Sequence, residues 1–285
     1  MALIRNISDT ALLAAVYRAR ESERAAPLFN DPFARRLAGD RGEEIARSLA
    51  FSEKNSWSWF ARTYVFDELI NKQIAAGCDM VVNLAAGLDA RPYRMTLPAS
   101  LKWVEVDLSE ITDYKQDLLK DEQPRCELES VRLDLADVTA RRELFSRLAT
   151  KARKALVISE GLMIYLTPEG AGTLAQDLSA QASFRYWLLD LASPALLKMM
   201  LKKMGQPFAQ ASAPLKFAPS EGPGFFKAHG WQPLEVRSLL HTAGSLKRLP
   251  LMLSFIYHLQ KSEAFQAKRP WGGACLLENL SNTNN

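Results

Sequence analysis

The sequence predicts an α/β fold, a sheet of seven mostly parallel strands with helices on both faces. From residue 79 onward, short apolar runs alternate with polar segments of helical length, which is the pattern of strand–helix–strand crossovers. The apolar run 81–84 also stops at a small-residue turn, and Asp89 and Arg91 follow at once. Such a turn lets the backbone approach a ligand closely, as in nucleotide-binding α/β domains.

The first 76 residues are predicted to be helical. Polar N-cap residues stand before apolar residues at helical spacing, and three helices are expected, over residues 10–21, from Asp31-Pro32 onward, and over residues 57–76. We therefore divide the chain into an N-terminal helical cap, residues 1–76, and a main domain, residues 77–285.

The main domain carries seven predicted strands, of which the first five are separated by connections of helical length and should pair in parallel. These strands are expected over residues 80–84, 102–106, 130–133, 155–158, 186–191, 234–238 and 273–277. Residues 193–226, rich in Met and Pro, break the alternation. We interpret them as a lid inserted after strand five, where such segments cover the ligand crevice.

Composition excludes several classes of protein. The chain has no apolar run of the roughly 20 residues that a membrane span needs, and its start lacks the pattern of a signal peptide. Three widely spaced cysteines predict neither a disulfide framework nor a zinc site, and the net charge of +4 is mild and scattered. We expect a cytoplasmic protein, monomer or homodimer, that binds a small molecule without metal, nucleic acid or membrane.

Three predicted strands are followed by an acidic residue: Asp107 after strand two, Asp134 after strand three and Glu160 after strand four. In an open parallel sheet the ligand lies outside the carboxyl ends of the strands. Asp107 is therefore placed to accept hydrogen bonds from the two hydroxyls of a ribose. Asp134 is placed to accept the exocyclic amine of an adenine.

The turn itself argues against a dinucleotide. The Gly-x-Gly-x-x-Gly pattern lets a pyrophosphate approach a helix N-terminus. In this chain Ala85 occupies the position of the first glycine, and the position of the third glycine holds another residue. Asp89 would also repel a phosphate. An adenosine cofactor with a positive centre and no phosphate suits the acidic rim, and S-adenosylmethionine meets that description.

Residues 83–94 resemble the first motif of the leucine carboxyl methyltransferase-like family of class I methyltransferases, and residues 160–169 resemble its second. Residues 10–19 and 29–32 resemble the N-terminal pattern of its bacterial branch, which includes O-methyltransferases of small-molecule pathways. The resemblance implies a Rossmann-like class I fold and S-adenosylmethionine as the cofactor. Ala85 is a departure, since the family commonly has Gly there.

The resemblance also implies roles for individual residues. Arg62, with help from Arg18, would hold the methionyl carboxylate, and Asp89 and Arg91 would brace the turn. Gly87 would lie along the methionyl portion, Asp107 at the ribose, Asp134 and Leu135 at the adenine, and Glu160 near the methionyl ammonium. Ala85, Leu108 and Gly161 are also expected to bind the cofactor.

The acceptor is less defined. Tyr165 could position an acceptor oxygen or pack under the following helix, and the three histidines, His229, His241 and His258, favour structural roles over a catalytic base. An apolar acceptor pocket or a hydrophobic seam could be built from Met199, Met200, Met204, Phe208, Phe225 and Phe226. Residues 249–259 are predicted to be a buried helix or a dimer contact.

We therefore expect an S-adenosylmethionine-dependent O-methyltransferase that acts on a carboxylate or hydroxyl of a small metabolite. Two alternatives remain open, methylation of a protein's C-terminal carboxylate and a non-catalytic binding protein with the same fold.

Overall fold

Seven strands form a single sheet in the computed structural model, which describes residues 8–48, 56–210, 214–259 and 264–282. The strands are β1 (Met80–Leu84), β2 (Lys102–Asp107), β3 (Glu127–Arg132), β4 (Ala155–Ser159), β5 (Phe184–Ala192), β6 (Trp231–Ser238) and β7 (Gly272–Asn279). Their order is β3-β2-β1-β4-β5-β7-β6. β2 and β3 lie on one side of β1, and β4 and β5 lie on the other. The topological switch point of the sheet is therefore beside β1.

The pairing confirms the predicted parallel sheet and shows how it ends. The first five strands pair in parallel, whereas β7 runs antiparallel to both β5 and β6. Two strands begin three residues earlier than predicted. β3 begins at Glu127 as a polar edge strand without a buried face, and β6 begins at Trp231 because a register shift beside Pro233 lets the strand continue past the proline.

The helices before the sheet are α1 (Ser8–Ser22), α2 (Ala34–Ser48, kinked at Gly39) and α3 (Ser56–Ala75). Those between strands are α4 (Arg91–Arg94), α5 (Ser109–Leu119), α6 (Val138–Ala149) and α7 (Pro168–Ser179). Late in the chain come α8 (Pro194–Gln210), α9 (Leu239–Ser245) and α10 (Leu251–Leu259), with short 3₁₀ turns at Met163–Tyr165, Gly222–His229 and Leu280–Asn282.

The sheet is covered on both faces, as alternating side chains of buried strands require. On one face, α3 packs Val65, Phe66 and Leu69 against the central strands. On the other, Phe226 and Trp231 pack with residues of α6 and α7. A separate apolar cluster joins α1, α2 and the start of α5.

The predicted lid segment begins with α8 and continues into the 3₁₀ turn before β6. The division into a cap over residues 1–76, a main domain and a lid stays a prediction. Within the described ranges, no helix is both long and apolar enough to cross a membrane.

Candidate cofactor and acceptor site

One cavity of about 1300 Å³ opens at the carboxyl ends of the strands. Its volume exceeds the roughly 300–1,000 Å³ of most ligand pockets, so it has room for two molecules. Every site residue expected from the sequence borders it: Arg18, Arg62, Ala85, Gly87, Asp107, Leu108, Asp134, Leu135, Glu160, Gly161 and Tyr165.

A hydrogen bond joins the small-residue turn after β1 to the end of β2. The Gly87 N–H donates to Asp107 Oδ2 at 2.6 Å, and the Leu108 N–H donates to Asp107 Oδ1 at 2.8 Å. Gly87 has φ of 51°, and a Cβ there would lie 3.2 Å from the Cβ of Ala11 on α1. Glycine at this position therefore satisfies the left-handed backbone and the close approach of α1 together.

Asp107 has the geometry of a ribose acceptor. Each carboxylate oxygen takes one backbone hydrogen bond and retains further lone pairs. Burial raises the pKa of Asp107, and the two backbone donors offset part of that rise. The free lone pairs of Asp107 therefore fit a group that donates hydroxyl hydrogens, and a negative phosphate here would be repelled.

Arg62, on α3, is fixed by two carboxylates at the end of the sheet. Its Nε donates to Glu160 Oε1 at 3.0 Å, and its Nη1 donates to Asp190 Oδ2 at 3.1 Å. The guanidinium also lies over the Trp59 ring, 4.9 Å from the centroid. Its Nη2 forms no hydrogen bond with a described residue, so a donor remains for a ligand carboxylate.

Asp190 belongs to this site and was missed by the sequence analysis. It lies in β5, and besides Arg62 it accepts the Gly161 N–H at Oδ1 (2.6 Å). Gly161 has φ of +74°, and a Cβ there would contact the Arg62 guanidinium at 3.5 Å. The sequence signal that could have identified Asp190 is its position as a single acid in the apolar run of β5. A strand that is buried on both faces carries an acid only when the acid is paired.

A network of charges extends from this site to the N-terminal helices. Arg91 Nη1 contacts Glu160 Oε2 and Asp89 Oδ2, both at 2.8 Å. Arg91 and Arg94 both donate to Asp67 Oδ1 at 2.7 Å. Asp89 also accepts from the side chain of Asn83 and from the Arg91 N–H, so these residues brace the turn, as the sequence analysis expected.

Arg18 of α1 binds the turn from the other side. It donates to Asp31 Oδ2 at 2.8 Å and to the Leu88 carbonyl at 2.5 Å. Arg18 borders the cavity, and its two contacts join the N-terminal helices to the backbone just past Gly87.

The expected adenine end is apolar with a polar rim. Asp134, two residues past β3, is exposed, and its carboxylate accepts the Ala136 N–H at 2.9 Å. Arg141 holds the adjoining backbone by donating to the Leu135 carbonyl at 2.8 Å. The Leu108 side chain borders the cavity and is 44% exposed, so apolar surface is available to a flat ring.

Tyr165 borders the cavity from the 3₁₀ turn after β4. Burial raises the pKa of its phenol, and a hydrogen bond with Thr10 together with the charge of Arg62 offsets part of the rise. The phenol is therefore protonated at neutral pH and suited to donating a hydrogen bond. The Thr167 side chain accepts the Gly170 N–H at 3.1 Å and caps the next helix.

The part of the cavity that is bordered by described residues between 196 and 216 and between 239 and 272, which we call the acceptor half, is apolar with a basic rim. Met199, Met200, Leu253 and Trp271 border it. The cations there are Lys203, Lys216 and Arg269, all exposed. Among the described residues, the acids that border the cavity are Asp89, Asp107, Asp134, Glu160 and Asp190, all near the strand ends.

For two lid residues, the structure distinguishes between the acceptor pocket and the hydrophobic seam. Phe226 lies in the core, 5.1 Å from the Trp187 ring, and Phe225 packs on Phe217 at 5.1 Å. Neither borders the cavity, so the hydrophobic-seam interpretation applies to them, because the 3₁₀ turn directs both rings to the sheet. The side chains of Met204 and Phe208 lie outside the described residues.

The histidines differ in position. His229 ends the 3₁₀ turn before Gly230, as expected, and its ring packs on Phe225 at 5.0 Å, away from the cavity. His241 borders the cavity. The side chain of His258 lies outside the described residues.

Comparison with known families gives one match over most of the chain. The model of the leucine carboxyl methyltransferase family matches residues 11–179. A Streptomyces avermitilis protein, named as an inferred S-adenosyl-L-methionine-dependent methyltransferase, is 31% identical over 78% of this chain and 82% of its own. A Frankia alni protein with the same kind of name is 33% identical over 80% of this chain and 84% of its own.

Two solved structures share the fold at low sequence identity. A DUF574 family protein from Streptomyces avermitilis superposes with a TM-score of 0.62 at 11% identity, covering 93% of this chain and 96% of that one. An inferred methyltransferase from Thermobifida fusca gives a TM-score of 0.56 at 15% identity, covering 97% and 96%. The shared architecture is that of the class I methyltransferases.

Proposed function

Because the chain belongs to the leucine carboxyl methyltransferase family, we propose that it methylates an oxygen atom of a small metabolite. It is an S-adenosylmethionine-dependent methyltransferase with a Rossmann-like fold. The proposal concerns the acceptor, the residues that bind each molecule and the atom that receives the methyl group.

The cofactor is assigned to the half of the cavity at the strand ends. Asp107 would accept the ribose hydroxyls, Leu108, Asp134 and Leu135 would enclose the adenine, and Arg62 would hold the methionyl carboxylate. Glu160 would face the methionyl ammonium. S-adenosylmethionine supplies a methyl group already activated by a positive sulfur, so the protein mainly aligns the reactants and excludes water.

One observation carries the assignment of a small anionic acceptor, which is the division of charge within the cavity. The five described acids that border the cavity lie near the strand ends beside Arg18, Arg62, Arg91 and Arg141, whereas the described charged residues that border the acceptor half are Lys203, Lys216 and Arg269 among apolar side chains. An acceptor with an apolar body and a negative group matches that lining, since the body is desolvated and the anion meets cations.

A carboxylate is the acceptor group that we favour. It is ionised at neutral pH and can attack the methyl carbon without a base, while Tyr165 stays protonated and can orient an acceptor oxygen. A hydroxyl acceptor would need a base, and among the described side chains His241 is the histidine that borders the cavity.

Transfer of a radiolabelled methyl group into a metabolite extract tests the proposal. We expect labelled small molecules whose label is released by mild base, as methyl esters require. A label that is stable to base would indicate that the product is a methyl ether, and hence that the acceptor is a hydroxyl. Normal cofactor binding with no labelled product would favour the non-catalytic alternative and contradict the proposed reaction.

Methylation of a protein's C-terminal carboxylate is the second candidate, since the matched family is described as leucine carboxyl methyltransferases. The two candidates share the same chemistry and differ in the size of the acceptor. A peptide ending in leucine, compared with a panel of small carboxylic acids, separates them. Faster methylation of the peptide would contradict the small-metabolite proposal.

A further inference from the structure

Helix α10 is apolar on both sides, and its outer side faces solvent. Leu251, Met252 and Phe255 are 92%, 76% and 68% exposed. At 3.6 residues per turn these three lie within about 100° of one another. On the opposite side, Leu253 borders the cavity and the Tyr257 ring packs on His241 at 5.4 Å. The expectation of a buried helix is therefore wrong for the outer side.

Such a cluster of exposed apolar side chains marks an interaction surface. The position of the cluster also supports an interaction surface, because Met252 belongs to the exposed cluster and borders the cavity. The cluster thus lies at the edge of the acceptor half, which we call its mouth.

The segments around this mouth are strongly basic. The described residues within 194–220 and 239–271 hold eight of the chain's 36 Lys and Arg and none of its 32 Asp and Glu. These described residues therefore carry a net charge of +8, and the 28 basic and 32 acidic residues left over give the rest of the chain −4. The mild net charge of the whole chain conceals this division.

Six of these cations form no ion pair with a described residue. Arg248 pairs with Glu21 at 3.0 Å. In contrast, six exposed basic residues form no ion pair with any described residue: Lys198, Lys202, Lys216, Lys247, Lys268 and Arg269. These six side chains are thus available to an external anion.

We propose that this face docks the protein on an anionic lipid surface. The outer side of α10 would enter the headgroup boundary while the surrounding cations contact lipid phosphates, as in other interfacial helices. This inference departs from the expectation of no membrane partner, which rested on the lack of a spanning segment. If the proposed function also holds, an amphipathic acceptor could pass from the lipid into the cavity.

Charge favours a lipid surface over a second copy of the chain. A symmetric dimer through α10 would bring the same surface of both protomers together, so two faces of like charge would meet. An anionic bilayer is complementary to this face, because its apolar interior can bury the outer side of α10 and its negative headgroups can pair with the cations.

Sedimentation with lipid vesicles tests the inference, using the full chain saturated with S-adenosylhomocysteine. We expect binding to vesicles of phosphatidylcholine mixed with phosphatidylglycerol, weak binding to phosphatidylcholine alone, and loss of binding at high salt. The double variant Leu251→Gln/Phe255→Gln should weaken binding by more than about tenfold. Lys247→Gln and Lys268→Gln should each weaken it roughly fivefold.

Matched controls come from elsewhere on the surface. Leu234, 54% exposed on β6, and the exposed Lys120 lie outside the two basic segments, so Leu234→Gln and Lys120→Gln should bind vesicles like the wild type. None of the substituted residues borders the cavity, and calorimetry with S-adenosylhomocysteine verifies that each variant is folded.

Three results would overturn the inference. Wild-type protein could bind anionic and neutral vesicles equally, or the α10 variant could bind as well as its Leu234 control. In the third, sedimentation equilibrium would show a wild-type dimer that Leu251→Gln/Phe255→Gln converts to a monomer. That last result would assign the surface to a second copy of the chain.

Discussion

Asp190 in β5 holds Arg62 of α3, with 3.1 Å between Asp190 Oδ2 and Arg62 Nη1. The same carboxylate accepts the Gly161 N–H through Oδ1. One side chain therefore sets both the direction of the arginine and the backbone after β4. Since Arg62 is the cation that we propose for the methionyl carboxylate, we expect Asp190 to act on the cofactor through Arg62.

Asp190→Asn should weaken cofactor binding about tenfold and lower the free energy of unfolding by roughly 1–3 kcal/mol. The amide keeps the size of the side chain but removes the charge that faces Arg62. Calorimetry with S-adenosylhomocysteine and urea denaturation measure the two effects. Asp113→Asn is the control, because its ion pair with Arg132 is exposed and should contribute little. Equal behaviour of the two variants would contradict the role given to Asp190.

Ala85→Gly should raise the free energy of unfolding by up to about 1 kcal/mol. Ala85 has φ of 52°, where an L side chain costs about 1–2 kcal/mol, and the added freedom of glycine in the unfolded chain offsets part of the gain. Urea denaturation measures it. Ala86→Gly, whose φ is not positive, should instead lower stability. A decrease for both variants would show that the turn at Ala85 is not strained.

The rate of methyl transfer should stay flat between about pH 7 and 9. A carboxylate acceptor is ionised throughout this range, and burial keeps the pKa of Tyr165 above its ordinary value, so its phenol stays protonated. A profile of kcat against pH measures this. A rise through the imidazole range that disappears in His241→Gln would instead indicate a hydroxyl acceptor and a histidine base.

The three cysteines should not react with a thiol reagent in the native protein at neutral pH. Burial raises the pKa of Cys78 and of Cys126 to about 11 each, and it raises that of Cys275 as well, so almost no thiolate is present. Colorimetric titration should find three thiols only after denaturation. Rapid reaction of the folded protein would show that at least one of these sites opens readily.

The sequence predicted the parts of the site that are encoded locally. The turn at Ala85 to Gly87 and the acids at Asp107 and Glu160 each follow a recognisable strand, and parallel strands bring their carboxyl ends to one edge. Local pattern was therefore sufficient to place these residues on a common cavity.

Other features depended on contacts that no local pattern specifies. Asp190 pairs with a residue 128 positions earlier in the chain. From the local sequence alone, its carboxylate therefore has no visible partner and only interrupts the apolar run of the strand. The outer side of α10 is as apolar as its inner side, and periodicity cannot tell which apolar face meets solvent. The cations Lys216 and Arg269 come together at the cavity only through the fold.

Cofactor binding by Asp107→Ala tests the central claim most directly. Asp107 accepts the N–H groups of Gly87 and Leu108 and is assigned to both ribose hydroxyls, so its loss removes the turn's anchor and the acceptor together. Calorimetry should show S-adenosylmethionine bound by the wild type and at least about a hundredfold weaker binding by Asp107→Ala, with Asp113→Ala unchanged. Equal binding by Asp107→Ala and the wild type would contradict the assignment of this cavity to the cofactor.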